Sequence, residues 1–282
     1  TIAGSDTKQN NLLWLIRTDN SSISNSVSNN NYYGIYLASG SNNNLTNNIE
    51  NSNSIYGIFL TSSSRNIFEN NTANSNGQYG FYLTSSSNNN TISNGVFNAN
   101  ANSIGIYSNA DSNLFSSMTI NGSTTDAIVI NSGRNNNFTN LTVTNTARYS
   151  LNISGAGTAN GTYIIDTLLA NYTIANPGSL IYFKDSGEGE IRFLQTVNGT
   201  GTNLSADIAI GNNSAFVNST AQSGLNKSAN ISLYGLSTSF TNPVMKRDGA
   251  TCPAGICYNF TSLNAGNVLF NVTGWTTYSI GE

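Results

Sequence analysis

The carboxylates are the residues of this chain that could catalyse a reaction. Glycoside hydrolysis on a repeat scaffold requires two carboxylates about 5 to 9.5 Å apart. Between residues 11 and 154 the acids are Asp19, Glu50, Glu69, Asp111 and Asp126. Only Asp19 and Asp111 fall at a similar place in the repeat described below, and four coils spaced by about 4.8 Å would separate them by about 19 Å. The sequence therefore predicts isolated, solvated charges and no catalytic pair.

Metal and nucleophile chemistry has equally little support. The chain has no His, two Cys and two Met, whereas zinc and copper sites draw on several imidazole and sulfur ligands. A Ser or Cys nucleophile would lack the His that commonly activates it. The segment DSGEGE at residues 185–190 suits either a calcium loop or, as we expect, a polar hairpin turn around Gly187 and Gly189. The sequence predicts no catalytic residue, no metal and no cofactor.

Two features indicate export. The motif CPAGIC brings Cys252 and Cys257 close together, and a local disulfide across a tight turn is favoured over two free thiols. Asn-x-Ser/Thr sequons offer glycan acceptors in an exported chain, although so much Asn, Ser and Thr also produces sequons by chance. The candidate acceptors are Asn20, Asn44, Asn70, Asn89, Asn121, Asn137, Asn140, Asn152, Asn160, Asn171, Asn198, Asn203, Asn212, Asn218, Asn226, Asn230, Asn259 and Asn271. We expect a secreted or cell-surface protein, and the lack of an initiator Met suggests that a targeting segment has been removed.

Composition limits the other partners. Only 8% of the residues are charged and the net charge is -3, so the chain has no basic face for a phosphate backbone and nucleic acid is not an expected partner. Hydrophobic residues make up 38% of the chain, which is enough to build a core. They form no run of about 18, so we expect no membrane span in this chain.

A repeat of about 23 residues organises the first half of the chain. The phrases YGIFLTSSSRN and YGFYLTSSSNN, which begin at Tyr56 and Tyr79, are nearly identical. Seven anchor positions recur, and large apolar residues follow them by one and three positions in thirteen of fourteen cases, Ser108 being the exception. The anchors are Leu12, Gly34, Gly57, Gly80, Gly105, Ala127 and Ser150. This period predicts a solenoid, and the spacing of two predicts strands with one buried face.

Asn-rich segments separate the strands. A weaker apolar pair follows the first by about ten residues, so each coil supplies at least two short strands. Asn and Gly accept the left-handed backbone conformation in segments such as SGSNNN, and stacked Asn side chains can form an amide ladder at a corner. Helical repeats are disfavoured because these residues are poor helix formers. We predict an all-β protein with a parallel β-helix of about seven coils over residues 1–154.

The residue two positions after each anchor should face outward, and in five coils it is aromatic. These residues are Trp14, Tyr36, Phe59, Tyr82 and Tyr107. A stripe of exposed rings usually marks an interaction site. Three partners remain open: the chain's own C-terminal region, a neighbouring subunit, or sugar rings. The Gly residues one pleat away, at positions 34, 57, 80 and 105, are expected to leave room for the rings to lie over backbone.

The pattern changes after about Ser154. Strand-like runs such as SLIYFKDSG and NVLFNVTGWTTYSI are separated by Gly, Asn and Pro turns. They predict a C-terminal β-rich domain over residues 155–282, either an antiparallel sandwich or a cap on the solenoid. A cap is needed because solenoid ends expose unpaired strand edges. The run LLWLI reads as a core strand of the first coil, which would leave the other end open for another molecule.

Two segments carry a family resemblance. The segment YGIFLTSSSRNIFENNTANSNGQYGFYLTSSSNNNTISNGV resembles the right-handed parallel β-helix repeats of the NosD and carbohydrate-binding/sugar-hydrolase group, over about residues 11–154. That group includes polysaccharide enzymes, copper-chaperone relatives and surface proteins, so the resemblance implies a right-handed fold and leaves the function open. The lack of His argues against the copper branch. The segments PVMKRDGATCPAGICYNF and VLFNVTGWTTYS look like the C-terminal β-rich module of secreted archaeal surface proteins with such repeats.

These observations favour a structural protein of the cell surface without catalysis. Its β-helix would serve as a stiff, glycosylated spacer or building block. Contacts through the coil ends and the aromatic stripe would assemble copies head to tail into a filament or layer, because a heterologous contact does not close on itself. The alternative is a carbohydrate-binding or polysaccharide-cleaving β-helix. The expected partners are therefore other copies of the chain and, in the alternative, glycans.

Overall fold

The repeat winds into stacked coils, as its period predicts. The computed structural model describes residues 13–282, so the anchor predicted at Leu12 lies outside the described residues. Matching strands of successive coils lie side by side in parallel, with Ile35 beside Ile58 and Ile58 beside Phe81. The prediction of an all-β solenoid of about 7 turns is confirmed.

The anchor strands form a nine-stranded sheet, named sheet A here. Numbered along the whole chain and given in spatial order, they are β1 (Leu13–Ile16), β3 (Tyr33–Ala38), β5 (Tyr56–Thr61), β7 (Tyr79–Thr84), β9 (Asn102–Ile106), β12 (Asp126–Ile130), β15 (Tyr149–Ile153), β17 (Tyr172–Ile174) and β20 (Gly199–Gly201). The pairing is parallel as far as β17 and becomes antiparallel between β17 and β20. One face of the sheet therefore presents a continuous surface along the coils.

The second strand of each coil belongs to a twelve-stranded sheet, named sheet B. Its strands are β2 (Ser22–Ser24), β4 (Asn44–Thr46), β6 (Ile67–Glu69), β8 (Thr91–Ser93), β10 (Leu114–Ser116), β13 (Asn137–Thr139), β16 (Asn160–Ile165), β18 (Leu180–Asp185), β19 (Gly189–Phe193), β23 (Ala229–Leu233), β27 (Val268–Val272) and β26 (Cys257–Asn259). A third side of the coils carries β11 (Thr119–Asn121) and β14 (Thr142–Thr144), with isolated parallel bridges in earlier coils.

The C-terminal region is β-rich, as predicted, but it begins later than expected. Parallel pairing continues past Ser154 through β16, β17 and β18, so the boundary predicted there falls inside continuous sheets. Antiparallel strands then extend sheet B from β19 onward. A separate five-stranded sheet contains β21 (Ile208–Gly211), β22 (Ser214–Val217), β28 (Thr277–Gly281), β24 (Val244–Arg247) and β25 (Ala250–Thr251), and the short helices are α1 (Leu204–Asp207) and a 3-10 turn at Ser223–Leu225.

The register corrects one predicted anchor. Gly105 pairs with Tyr82 and Val129, so Ser103 and not Gly105 occupies the anchor position of the fifth coil. The buried residues of that coil are Ile104 and Ile106, which removes the exception that Ser108 seemed to make. Alignment on glycine misplaced this coil because its glycine lies two residues after the true anchor.

The corners and the amide ladder are confirmed. Left-handed residues recur once per coil at one corner, at Asn20, Asn42, Arg65, Asn89, Ser112 and Asn135. A buried ladder runs through Asn43, Asn66, Asn90, Asn113 and Asn136. From Asn43 to Asn113, each Nδ2 donates to the Oδ1 of the next coil at 3.0 or 3.1 Å, and the same Oδ1 accepts the backbone N–H of the donor residue. The ladder therefore satisfies buried amides by repetition.

Two local predictions in the C-terminal region are also confirmed. Asp185 Oδ1 accepts hydrogen bonds from the backbone N–H groups of Gly187 and Glu188, which makes DSGEGE the hairpin turn between β18 and β19. Cys252 and Cys257 form a disulfide.

Candidate functional site

The stripe of aromatic residues forms a packed column on the outer face of sheet A. Trp14 pairs in register with Tyr36, and Tyr36 with Phe59. Ring centroids of successive members lie 4.9 to 5.7 Å apart along the whole column. In the fifth coil Gly105, not Tyr107, is the residue that pairs in register with Tyr82. Tyr107 lies two residues further along, just after β9, and its ring still packs on that of Tyr82. A Cβ at Gly105 would lie 2.5 Å from Cε1 of Tyr79, so the expected room over backbone is present at this glycine.

A second column of tyrosines, which strict alternation along the strands did not predict, lies beside the first. Its members are Tyr33, Tyr56 and Tyr79, one residue before the anchors. The Tyr33 and Tyr56 rings stack at 5.3 Å, and Tyr56 stacks on Tyr82 of the first column at 4.7 Å. The repeated Tyr-Gly pair in three successive coils was the signal that could have revealed it.

Three anchor glycines explain why both columns face outward. Each is buried and followed by a buried residue, which breaks the alternation of the strand. A Cβ on Gly57 would lie 2.7 Å from Ala73 Cβ and from Asn76 Nδ2, inside the coil. The expectation that Gly34, Gly57 and Gly80 make room for outer rings is therefore wrong, because these glycines face the interior.

The eight rings of the two columns are called the aromatic face from here on. Within residues 13–282, the strands that carry it, β1, β3, β5 and β7, pair only with one another and with β9. Every aromatic pair of the face stays within residues 14–107. The C-terminal strands join sheets A and B at the end opposite to β1 and β2. Seven of the rings are half-buried and Trp14 is exposed.

The aromatic face is neutral. None of its eight side chains is charged, and burial, followed by the neighbouring tyrosines, raises the pKa of Tyr56 to about 12. The pKa of Tyr79 is also raised, first by burial and then by the hydrogen bond between its hydroxyl and that of Tyr107 at 2.8 Å. Trp14 remains 59% exposed. The face thus offers rings and neutral hydroxyls to a partner.

The aromatic face ends in a polar hollow. The next positions of the two columns are Gly105 and Val129 in one and Asn102 and Asp126 in the other. Because these side chains are smaller than rings, a hollow of about 180 Å³ remains there. Its lining also includes Tyr79, Tyr107, Arg148 and Asn152.

Asp126 organises the hollow. Its carboxylate is buried and accepts hydrogen bonds from Arg148 Nε at 2.8 Å and Nη2 at 2.6 Å, and from Asn152 Nδ2 at 2.7 Å. The prediction that Asp126 is an isolated solvated charge is therefore wrong. In the described part of the chain, Asn152 Oδ1 is buried and has no hydrogen-bond partner.

The other acids of the repeat do not join a site. Asp19 and Asp111 share a corner position as predicted, and each Oδ1 accepts a backbone N–H of the following coil, at 2.6 and 2.7 Å. Glu69 is exposed. Glu50 is wholly buried, so the prediction of a solvated charge is wrong there too, and burial raises its pKa well above the usual range. Across residues 13–282, the His, Cys, Asp and Glu side chains form no group of three that could hold a metal ion.

The sequons differ in accessibility. Asn152 is buried and donates to Asp126, so a glycan cannot be attached there in the folded chain, and that predicted acceptor is wrong. The exposed acceptors are Asn20, Asn44, Asn70, Asn89, Asn121, Asn140, Asn160, Asn198, Asn203, Asn212, Asn226 and Asn259, and the half-buried ones are Asn137, Asn171, Asn218, Asn230 and Asn271. Glycosylation of these acceptors stays a prediction.

Residues 13–282 contain no helix that is long and apolar enough to cross a membrane.

Comparison with known proteins agrees with the coil geometry. No curated protein matches the chain. The family described as right handed beta helix region matches residues 1–142, which is half of the chain. The resemblance found in the repeat sequence is thereby confirmed, and the chain belongs to the right-handed beta helix family.

Proposed function

We propose that this protein is a non-catalytic scaffold of the cell surface whose aromatic face binds other copies of the chain. The observation that carries this proposal is the pair of packed ring columns on the outer face of sheet A, which residues 13–282 leave partly exposed. A monomer gains little from exposing such a surface, and contiguous apolar patches usually mark an interaction site. Low charge supports contact between copies, because only 8% of the residues are charged and repulsion between identical surfaces is weak.

Other features suit a scaffold outside the cell. The buried amide ladder links five successive coils, which gives the solenoid a continuous rigid interior. The disulfide between Cys252 and Cys257 suits an oxidising compartment.

Sedimentation velocity over a range of concentrations tests the proposal. We expect the wild-type chain to form oligomers that a Tyr36→Val, Phe59→Val double variant loses. Valine is a native occupant of this column, at Val129. The matched control is Ile67→Thr, which removes an exposed apolar side chain from the outer face of sheet B, where Thr91 is its neighbour in register.

Negative-stain microscopy of the same samples would show whether the oligomers are filaments or layers. A wild-type chain that stays monomeric at every concentration would contradict the proposal. Equal loss of oligomers in the Ile67→Thr variant would also contradict it, because assembly would then not depend on the aromatic face.

A second candidate function is saccharide binding, and the polar hollow favours it. A sugar ring presents apolar C–H groups that could stack on Tyr107, and hydroxyls that could meet the side chains of Arg148 and Asn152. A glycan array tests this reading with the wild-type chain and with Tyr107→Val and Arg148→Gln variants, since both residues line the hollow. Binding that both variants lose would support saccharide binding, and an array without binders would rule against it.

A further inference from the structure

A second polar pocket lies in the C-terminal region, far along the chain from the aromatic face. Its volume is about 300 Å³, at the lower end of the range of about 300 to 1,000 Å³ that ligand sites occupy. Strands β22, β24 and β28 and the segments beside them build its wall. Nothing in the aromatic face or the polar hollow shares a residue with it.

Two buried donors in this pocket have no acceptor. Trp275 is only 2% exposed, and within residues 13–282 neither its Nε1 nor Nε of Arg247 has a hydrogen-bond partner. A buried donor without an acceptor costs about 1 to 3 kcal/mol. Both residues line the same pocket, and both donor atoms are shielded from solvent.

The indole cannot turn to find another acceptor. Its ring packs against Phe193 at 5.7 Å and against Tyr278 at 5.9 Å. The backbone of Trp275 is held as well, because its N–H donates to Asn226 Oδ1 at 2.7 Å and its carbonyl accepts from Ser219 Oγ at 2.8 Å. The donor edge of the ring is therefore fixed by the fold.

Three acceptor oxygens of the pocket are already engaged. Asn226 Oδ1 accepts a hydrogen bond from the backbone N–H of Trp275, and Asn218 Oδ1 accepts one from the backbone N–H of Ala221. Asp248 Oδ1 accepts from the Thr276 hydroxyl and from the Thr277 backbone. Over the described chain, no carboxylate lies within ion-pair distance of Arg247. The pocket therefore combines two unpaired donors, one of them on a guanidinium without an ion-pair partner, with three occupied acceptor oxygens.

We propose that this pocket binds a small organic acid through its carboxylate group. A carboxylate only accepts hydrogen bonds, and its two oxygens match an Arg N–H and a second donor at once. Asp248 reduces the positive potential of the pocket, which disfavours ions of higher charge such as phosphate. A volume of about 300 Å³ leaves space for the body of the acid beside its carboxylate.

The indole N–H gives a direct readout in the intact chain. The chain has two Trp residues, so a ¹H–¹⁵N correlation spectrum shows two indole cross-peaks, which a Trp14→Phe variant assigns. Titration with acetate and with glucuronate, at constant ionic strength set by chloride, should move the Trp275 peak downfield with saturation. The Arg247→Gln variant should weaken binding about tenfold or more.

Lys246→Gln is the matched control, because it removes the same charge from the neighbouring residue of β24, whose side chain points to the other face of the strand. Its titration should equal that of the wild type. Thermal melting confirms that both variants fold. No saturable shift at up to about 100 mM acetate, an equal shift in Arg247→Gln, or an equal midpoint with inorganic phosphate would each overturn the proposal.

Discussion

The solenoid and the C-terminal sheets satisfy their buried polar groups in different ways. In the solenoid, Asn66 donates to Asn90 and Asn90 donates to Asn113, so the partner of each amide is the same residue of the next coil. The C-terminal sheets have no repeat, and Trp275 Nε1 and Arg247 Nε stay without a protein acceptor in the described chain. Repetition supplies partners automatically, whereas a polar residue that occurs once needs a partner of its own.

The same rule applies to exceptions inside the solenoid. Glu50 occupies the place that Ala73 and Phe97 hold in the following coils, where each backbone N–H donates to the next coil. Asn152 occupies the column place of Val129. Both exceptions carry buried oxygens without a partner among residues 13–282. Departures from the repeat therefore mark the positions where stability is lost or a ligand could act.

Breaking the ladder should produce the largest effect. Asn90→Ala removes the acceptor of the Asn66 backbone N–H and the donor to the Ser63 carbonyl. Two buried groups at about 1 to 3 kcal/mol each predict a loss of about 2 to 6 kcal/mol in the free energy of unfolding, measured by urea denaturation.

Asn44→Ala is the control for this measurement. Asn44 is exposed on β4, and its side chain makes no hydrogen bond in the described structure. It should cost less than about 0.5 kcal/mol. Equal losses in the two variants would show that the ladder contributes no more than any other asparagine.

The repeat explains why the coils were predictable and parts of the surface were not. The alternation of Ile58 and Leu60 encodes a core strand directly, since both face inward at a spacing of two. The column of Tyr33, Tyr56 and Tyr79 was missed because the glycine after each tyrosine and the residue after that glycine are both buried. Two successive buried residues break the strict alternation on which the prediction rested. Asn152 and Asp126 meet only when coils stack, so their contact is not visible in either coil alone.

The pH dependence of stability should separate Glu50 from the ladder. Its folded pKa is raised by burial, so the folded state keeps a proton that the unfolded state loses near pH 4.5. The folded state binds more protons above that pH, and stability should fall by about 1.4 kcal/mol per pH unit until the folded pKa is reached. We expect the free energy of unfolding to be lower at pH 7 than at pH 5.

Glu50→Gln should remove this slope, because an amide does not ionise. The measured quantity is the change in the free energy of unfolding with pH. The cost of burying the amide does not depend on pH, so it does not affect this comparison. Glu69→Gln is the control, since Glu69 is an exposed acid of β6 and should leave the slope unchanged. A wild-type chain with equal stability at pH 5 and pH 7 would contradict the burial of an unpaired Glu50.

Removal of the disulfide should have the smallest and most local effect on stability. Cys252 follows β25, an edge strand of the five-stranded sheet, and Cys257 begins β26, the last strand of sheet B. The bond therefore ties those two edges together where no repeat aligns them. A closed loop of so few residues predicts a loss of about 2 kcal/mol on Cys252→Ser, Cys257→Ser substitution. Hydrogen exchange should rise in β25 and β26 and stay unchanged in β3, β5 and β7, because the coils draw their stability from one another. Faster exchange throughout the solenoid would instead mean that the C-terminal sheets hold the coils together, and the contrast between the two regions would fail.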